Sequence, residues 1–260
     1  MRWLILLTLA ACAPGEGTLE LLTWGEESAT VDLQTDDGWT ITLDHWVTTV
    51  SNIELGDEKT EERLARDASA YVLDLTVQTV PLPLGEISAA AKRHTFGFTI
   101  APPTADAEVF DGVEDIAEQM RTEGWAHYAS GSATDGSQTI DFEFGLDLGG
   151  RSTNCDNGDD GTAGVALEEG SVVPAVVTFH VDHLFWTALG TEEADLEFGT
   201  LSTLDGGDGF IDNDDLRAVS TIDIGYESAG LVDNLYDFIS FSVAQSAHLN
   251  GDGLCTVRSL

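Results

Sequence analysis

The segment Phe179-His180-Val181-Asp182-His183-Leu184-Phe185-Trp186 places two histidines and a carboxylate within four residues. Imidazole nitrogen and carboxylate oxygen are good ligands for first-row metals, and Asp182 could instead orient a ligating histidine from behind. On a strand His180 and Asp182 point to one face, and His183 joins them only where the strand ends or bulges. The same pattern also fits a buried, hydrogen-bonded histidine with no metal. His45, in Asp44-His45-Trp46, and His248, in Ala247-His248-Leu249, are further histidines that could converge on this segment. The candidate metal ligands are therefore His45, His180, Asp182, His183 and His248. His94 and His127 sit in ordinary strand settings and read as structural.

A second candidate is the acidic stretch Leu204–Leu216, which is similar to an EF-hand loop. Gly209 takes the sixth-position glycine, with Asp208 at position five, Ile211 at eight and Asp215 at twelve. Leu204 and Gly206 occupy positions where carboxylates are expected, and Asp rather than Glu closes the loop. With Asp205 drawn in, the calcium ligands would be Asp205, Asp208, Asp212 and Asp215; a solvated acidic turn is the other reading. Hydrolytic and nucleotide-binding signatures (G-x-S-x-G, H-E-x-x-H, the P-loop) do not occur in the sequence, so no enzyme activity is expected.

The first residues supply an address. Arg2, an apolar run from Trp3 to Leu9 and then Ala10-Ala11-Cys12 make a secretory signal too short to span a bilayer. Leu9-Ala10-Ala11-Cys12 resembles a bacterial lipobox, in which Cys12 takes the lipid; an ordinary cleaved signal with an incidental cysteine is the alternative. Ala13 after the cysteine fits an outer-membrane lipoprotein of the cell envelope, facing periplasm or exterior. With Cys12 committed to lipid, Cys155 and Cys255 are expected to form a disulfide in an oxidising space; a pair of copper-binding thiolates is the alternative. The bridge would also draw His248, seven residues before Cys255, towards the segment preceding His180.

These groups must be held by a scaffold that period-two alternation describes. Strands are expected at Trp39–Val50, Tyr71–Val77, His94–Ile100, Gly124–Ala133, Gln138–Leu148, Val173–Leu184 and Thr221–Ile224, separated by Gly, Pro and Asp clusters. Residues 57–70 read as a loop or short helix, and Leu231–Ala247 as a helix. The expectation is an all-β antiparallel sandwich with long loops and one or two short helices. Its layout is signal peptide 1–11, tether 12–22 and one domain over 23–260. The 47 acidic and 10 basic side chains leave a formal net charge of −37, which repels nucleic acid and anionic headgroups. Contact with the bilayer is then expected through Cys12 alone.

Several segments together resemble the MbnP-like family of bacterial periplasmic proteins. Val50–Leu55 is similar to its "YISNI-L" strand, with Tyr71–Leu75 following. Phe96–Ile100 with Pro102, Met120–Tyr128 around Gly124-Trp125, Phe144–Cys155 and Val177–Leu189 match further elements in the same order. Where the family carries a histidine before its T-x-C, this chain has Gly145 or a neighbour. The chain more closely resembles acidic lipoproteins of myxobacterial type, through His180, Asp182, His183, Leu184 and Phe185 and through Ala247, His248, Gly251, Gly253 and Cys255. The resemblance implies a β-sandwich, copper with zinc as the alternative metal, and a di-haem, peroxidase-like partner. The function read here is a lipid-anchored, non-enzymatic metal-binding envelope protein. The alternative is a calcium-stabilised structural or adhesion module.

Overall fold

The computed structural model describes residues 15–260 except 61, 111, 190–193 and 229. Cys12 and the signal segment lie outside the described residues. Among the described residues fifteen strands form the scaffold: β1 (Glu16–Trp24), β2 (Leu33–Gln34), β3 (Thr40–Asp57), β4 (Arg63–Asp74), β5 (Leu82–Ala90), β6 (Arg93–Ile100), β7 (Glu108–Val109), β8 (His127–Thr134), β9 (Thr139–Leu146), β10 (Gly150–Thr153), β11 (Val165–Ala166), β12 (Val172–Phe179), β13 (Phe210–Ile211), β14 (Ala247–Leu249) and β15 (Thr256–Ser259). The short α-helices described with them are α1 (Glu114–Glu123), α2 (Asn213–Arg217), α3 (Thr221–Ile224) and α4 (Leu235–Val243).

The strands make two sheets, a small one in the order β14-β12-β1-β5 and a large curled one built on β3. β1 buries alternate residues, Leu19 and Leu21 among them, as a strand with one face on a core must. That face meets Ala175, Val177 and Phe179 of β12 and Phe96, Phe98, Phe142 and Phe144 of the large sheet in one apolar cluster. From Trp46 to Ser51 consecutive residues of β3 are buried, so both faces are covered there. The outer cover is α1, whose Ala117 and Met120 pack on Val47, Val72 and Tyr128. Gly124, at φ 77, ends α1 in a left-handed conformation that costs glycine little.

The all-β sandwich-like class stands, and strands lie within or across most of the expected segments. Several details differ. The tether expected over 12–22 is strand from Glu16 onward, and β1 is an interior strand of the small sheet. The sheets are not purely antiparallel: β1 runs parallel to β12, β4 to β7 and β9 to β13. Residues 57–70, read as loop or helix from their charge, complete β3 and open β4; both strands are extended there because each pairs the other from Val47 to Gly56. Thr221–Ile224 is helix α3, since four residues are too few for alternation to discriminate. The helix expected over Leu231–Ala247 is shorter, capped by Asn234 accepting from the Asp237 amide, and gives way to β14.

Candidate metal centre

β12 delivers the His180 segment. The strand ends at Phe179 and residues Val181–Phe185 wind into a 3₁₀ turn. With three residues per turn, positions i and i+3 eclipse, so His183 comes beneath His180 rather than on the far side. Their ring centroids are 6.2 Å apart. Asp182, expected on the His180 face, instead accepts a hydrogen bond from Trp186 Nε1 at 3.2 Å. The Trp186 ring lies on His183 with centroids 3.6 Å apart.

His248 arrives by strand pairing. β14 lies antiparallel to β12 with His248 opposite Thr178, which makes it the diagonal neighbour of His180. The two imidazoles are 4.6 Å apart, and His248 is 6.1 Å from His183. The disulfide Cys155–Cys255 is present. It ties the far end of the loop beyond His248 to the segment just after β10, while the pairing of β14 with β12 brings the histidines together.

Each of the three rings gives one N–H to a backbone carbonyl. His183 Nδ1 donates to Ser242 O at 3.1 Å, His248 Nε2 to Gln245 O at 3.2 Å and His180 Nε2 to Gly251 O at 3.4 Å. A carbonyl only accepts, so these bonds set the donor nitrogens; in neutral His183 and His248 the lone pair is on Nε2 and Nδ1 respectively, while His180 Nδ1 faces Glu26. His248 Nδ1 is buried without a hydrogen-bond partner. Burial pushes both the His183 and His248 imidazoles down to about 4, with neighbouring histidines adding to the effect. Both are therefore neutral at pH 7.

Two carboxylates complete the surroundings. Glu26 Oε2 lies 3.7 Å from His180 Nδ1, and Asp252 Oδ1 lies 3.9 Å from His180 Nε2. Burial raises the Glu26 pKa, His180 opposes this, and Asp252 and Asp182 reinforce it. Glu26 holds φ at 59, an unusual value for a residue with a side chain. The parallel register Trp24↔Thr178 carries the chain so that Glu26 comes alongside His180. No local spacing signals that pairing, because it joins residues 26 and 180 through two strands distant in sequence.

For ring nitrogens roughly 2.0–2.1 Å from a tetrahedral ion, ring centroids lie about 5 Å apart; His180 and His248 are near that separation and His183 stands about 1 Å wide of it. In keeping with that offset, no group of three or more His, Cys, Asp or Glu among the described residues is gathered to hold an ion as it stands. Imidazole nitrogen and carboxylate oxygen are the donor types that first-row metals take.

The other candidates fall elsewhere. His45 Nδ1 lies 2.6 Å from Asp74 Oδ2, and the buried Asp74 also accepts from Trp46 N, Thr76 N and Thr76 Oγ1. His45 thus belongs to an anchor for β3 and makes no ring contact with the three histidines. His94 and His127 are buried: His94 Nε2 donates to Ala90 O, and His127 Nδ1 contacts Thr48 Oγ1. In the acidic loop, Asp208 accepts from Phe210 N, while Asp212 accepts from Asp214 N and Asp215 N. Asp215 accepts in return from Asp212 N, closing a capping box on α2. These carboxylates shape a turn and a helix start, and Asp205 joins through its backbone carbonyl, which accepts from Asp208 N.

Comparison with known proteins returns no match: no family model, characterised protein or solved structure is similar to this chain beyond chance.

Proposed function

We propose that this chain is a non-enzymatic metal-binding protein of the bacterial envelope, anchored by lipid on Cys12, that holds copper, or zinc as the alternative, on His180, His183 and His248. The observation that carries the reading is the set of three imidazoles, each donating to a backbone carbonyl, with the second nitrogen of His183 and of His248 uncommitted and that of His180 facing Glu26. Such backing bonds orient ligating rings and raise their basicity. Because His183 and His248 are held neutral, a metal does not compete with protons for them near pH 7. Glu26 places a carboxyl group beside His180, and a bound cation would favour its charged form. The metal itself would supply a Lewis-acidic or redox-active ion to a partner, and the resemblance noted above points to a di-haem protein for that role.

The test is copper and zinc loading of the purified chain, followed by dialysis and elemental analysis. The wild-type protein is expected to retain one equivalent, and a His180→Ala/His183→Ala double variant to lose it. Unchanged metal content in a folded double variant refutes the assignment. Haem staining of proteins that co-elute from native membranes tests the partner separately.

A further inference from the structure

With so few cations in the chain, their placement is informative. Of the 10 Lys and Arg residues, Arg63, Arg151 and Arg258 line a single cleft of about 330 Å³ beside the β6–β10–β15 end of the large sheet. Among the described residues the one carboxylate lining it is Glu54. Among the described lining residues, three cations to one anion leave two positive charges in excess, on a molecule whose net charge is −37.

Arg151 and Arg258 are direct cross-strand partners in the β10–β15 pair. Like charges directly opposite on a sheet destabilise it. Glu54 relieves only part of this: one carboxylate oxygen accepts from Arg63 Nε at 2.5 Å, the other from Arg151 Nη2. Arg258 forms no ion pair among the described residues. Each guanidinium has five N–H donors in a planar fork, so Arg63 and Arg151 retain uncommitted donors while their orientation is set by Glu54.

The cleft is also held rigid. Cys155–Cys255 closes the ladder immediately beyond Thr153↔Thr256, fixing the register that puts Arg258 across from Arg151. Gly97 lies in the lining, where a Cβ would come within 2.7 Å of Ser152 O and 3.6 Å of Glu54 Cγ. Glycine therefore lets β6 and β10 approach closely and keeps the wall beside Glu54 free of a side chain.

We infer that this cleft is a binding site for a small, doubly charged tetrahedral oxyanion: phosphate, a phosphate monoester or sulfate. A phosphoryl group carries about −1.5 to −2 charges near pH 7, matching the excess of two, and its oxygens suit forked guanidinium donors. A monocarboxylate would leave one charge unmatched. The small volume favours a small ion, and the overall charge of −37 opposes a polyanion extending beyond the cleft.

Isothermal titration of the oxidised full chain with inorganic phosphate, glycerol phosphate, sulfate and succinate at fixed ionic strength tests the inference. Binding of at least one tetrahedral dianion in preference to succinate is expected, and comparison of the arms identifies the source. Arg258→Gln should weaken binding about tenfold or more, the loss of charge-assisted hydrogen bonds. Arg121→Gln makes the same change in net charge on α1, where Arg121 pairs with Glu118, and should leave affinity unchanged. No binding of any tetrahedral anion at millimolar concentration overturns the site. So does equal weakening by the two variants, with melting curves confirming that both remain folded.

Discussion

Lowering the pH from 7 to 5 should expose the buried histidines of the candidate centre. His183 is held at about 4 by burial, against an unfolded value near 6.5. A lowered histidine pKa means that the unfolded chain takes up a proton more readily, so this part of the stability is present above about 6.5 and is lost as pH falls towards 4. Integrating between those values, the step from pH 7 to pH 5 costs about 2 kcal/mol from His183 alone. His248, also lowered to about 4 but less deeply buried, adds a smaller loss of the same sign. Glu26 works in the opposite direction, because its pKa is raised, and acidification also relieves self-repulsion of a highly acidic surface. The diagnostic quantity is therefore a difference between proteins. Urea denaturation of the metal-free wild type and of a His183→Gln/His248→Gln variant, each at pH 5 and 7, isolates it. The wild type should lose about 2–4 kcal/mol more than the variant over that interval. Equal losses in the two proteins would falsify the claim that these imidazoles are buried in neutral form.

Three further outcomes follow, two from the geometry and the last from the sequence. His45→Ala should keep the metal content of the wild type while lowering stability by about 1–3 kcal/mol, because the buried Asp74 loses a hydrogen-bond partner; loss of metal would bring His45 back into the centre. Cys155→Ser/Cys255→Ser removes a link spanning 100 residues and should cost about 4–5 kcal/mol in denaturant unfolding on the chain-entropy model; a cost near zero would mean that β15 is pinned without it. Cys12→Ser should move the protein from the membrane fraction to the soluble fraction on cell fractionation, and unchanged membrane association would refute the lipid anchor.

Periodicity located β6 and β9 closely because each alternates over a full strand and ends at a turn. It missed the 57–70 region because charged residues on an exposed sheet face look like loop when read alone. The candidate centre was half legible. His180 and His183 are near in sequence, so their pairing needed only the correct local conformation, and a 3₁₀ turn rather than a strand supplied it. His248 could be anticipated through the cysteines, although strand pairing is what places it. His45 looked equivalent to the others by residue type, and its engagement with Asp74 depends on the β3–β4 register, in which Val47 pairs with Asp74.

Residue type, alternation and cysteine number by themselves determined the all-β class, the expectation of one disulfide and the segment that carries two of the clustered histidines. These are local or compositional properties, set by side-chain period and by bond chemistry. Tertiary structure alone decided which groups meet. Parallel pairing of β1 with β12 brings Glu26 to His180, and antiparallel pairing of β15 with β10 sets Arg258 against Arg151. Both are contacts between distant strands, chosen by how two sheets bury a common core, and no short stretch of the chain contains that information.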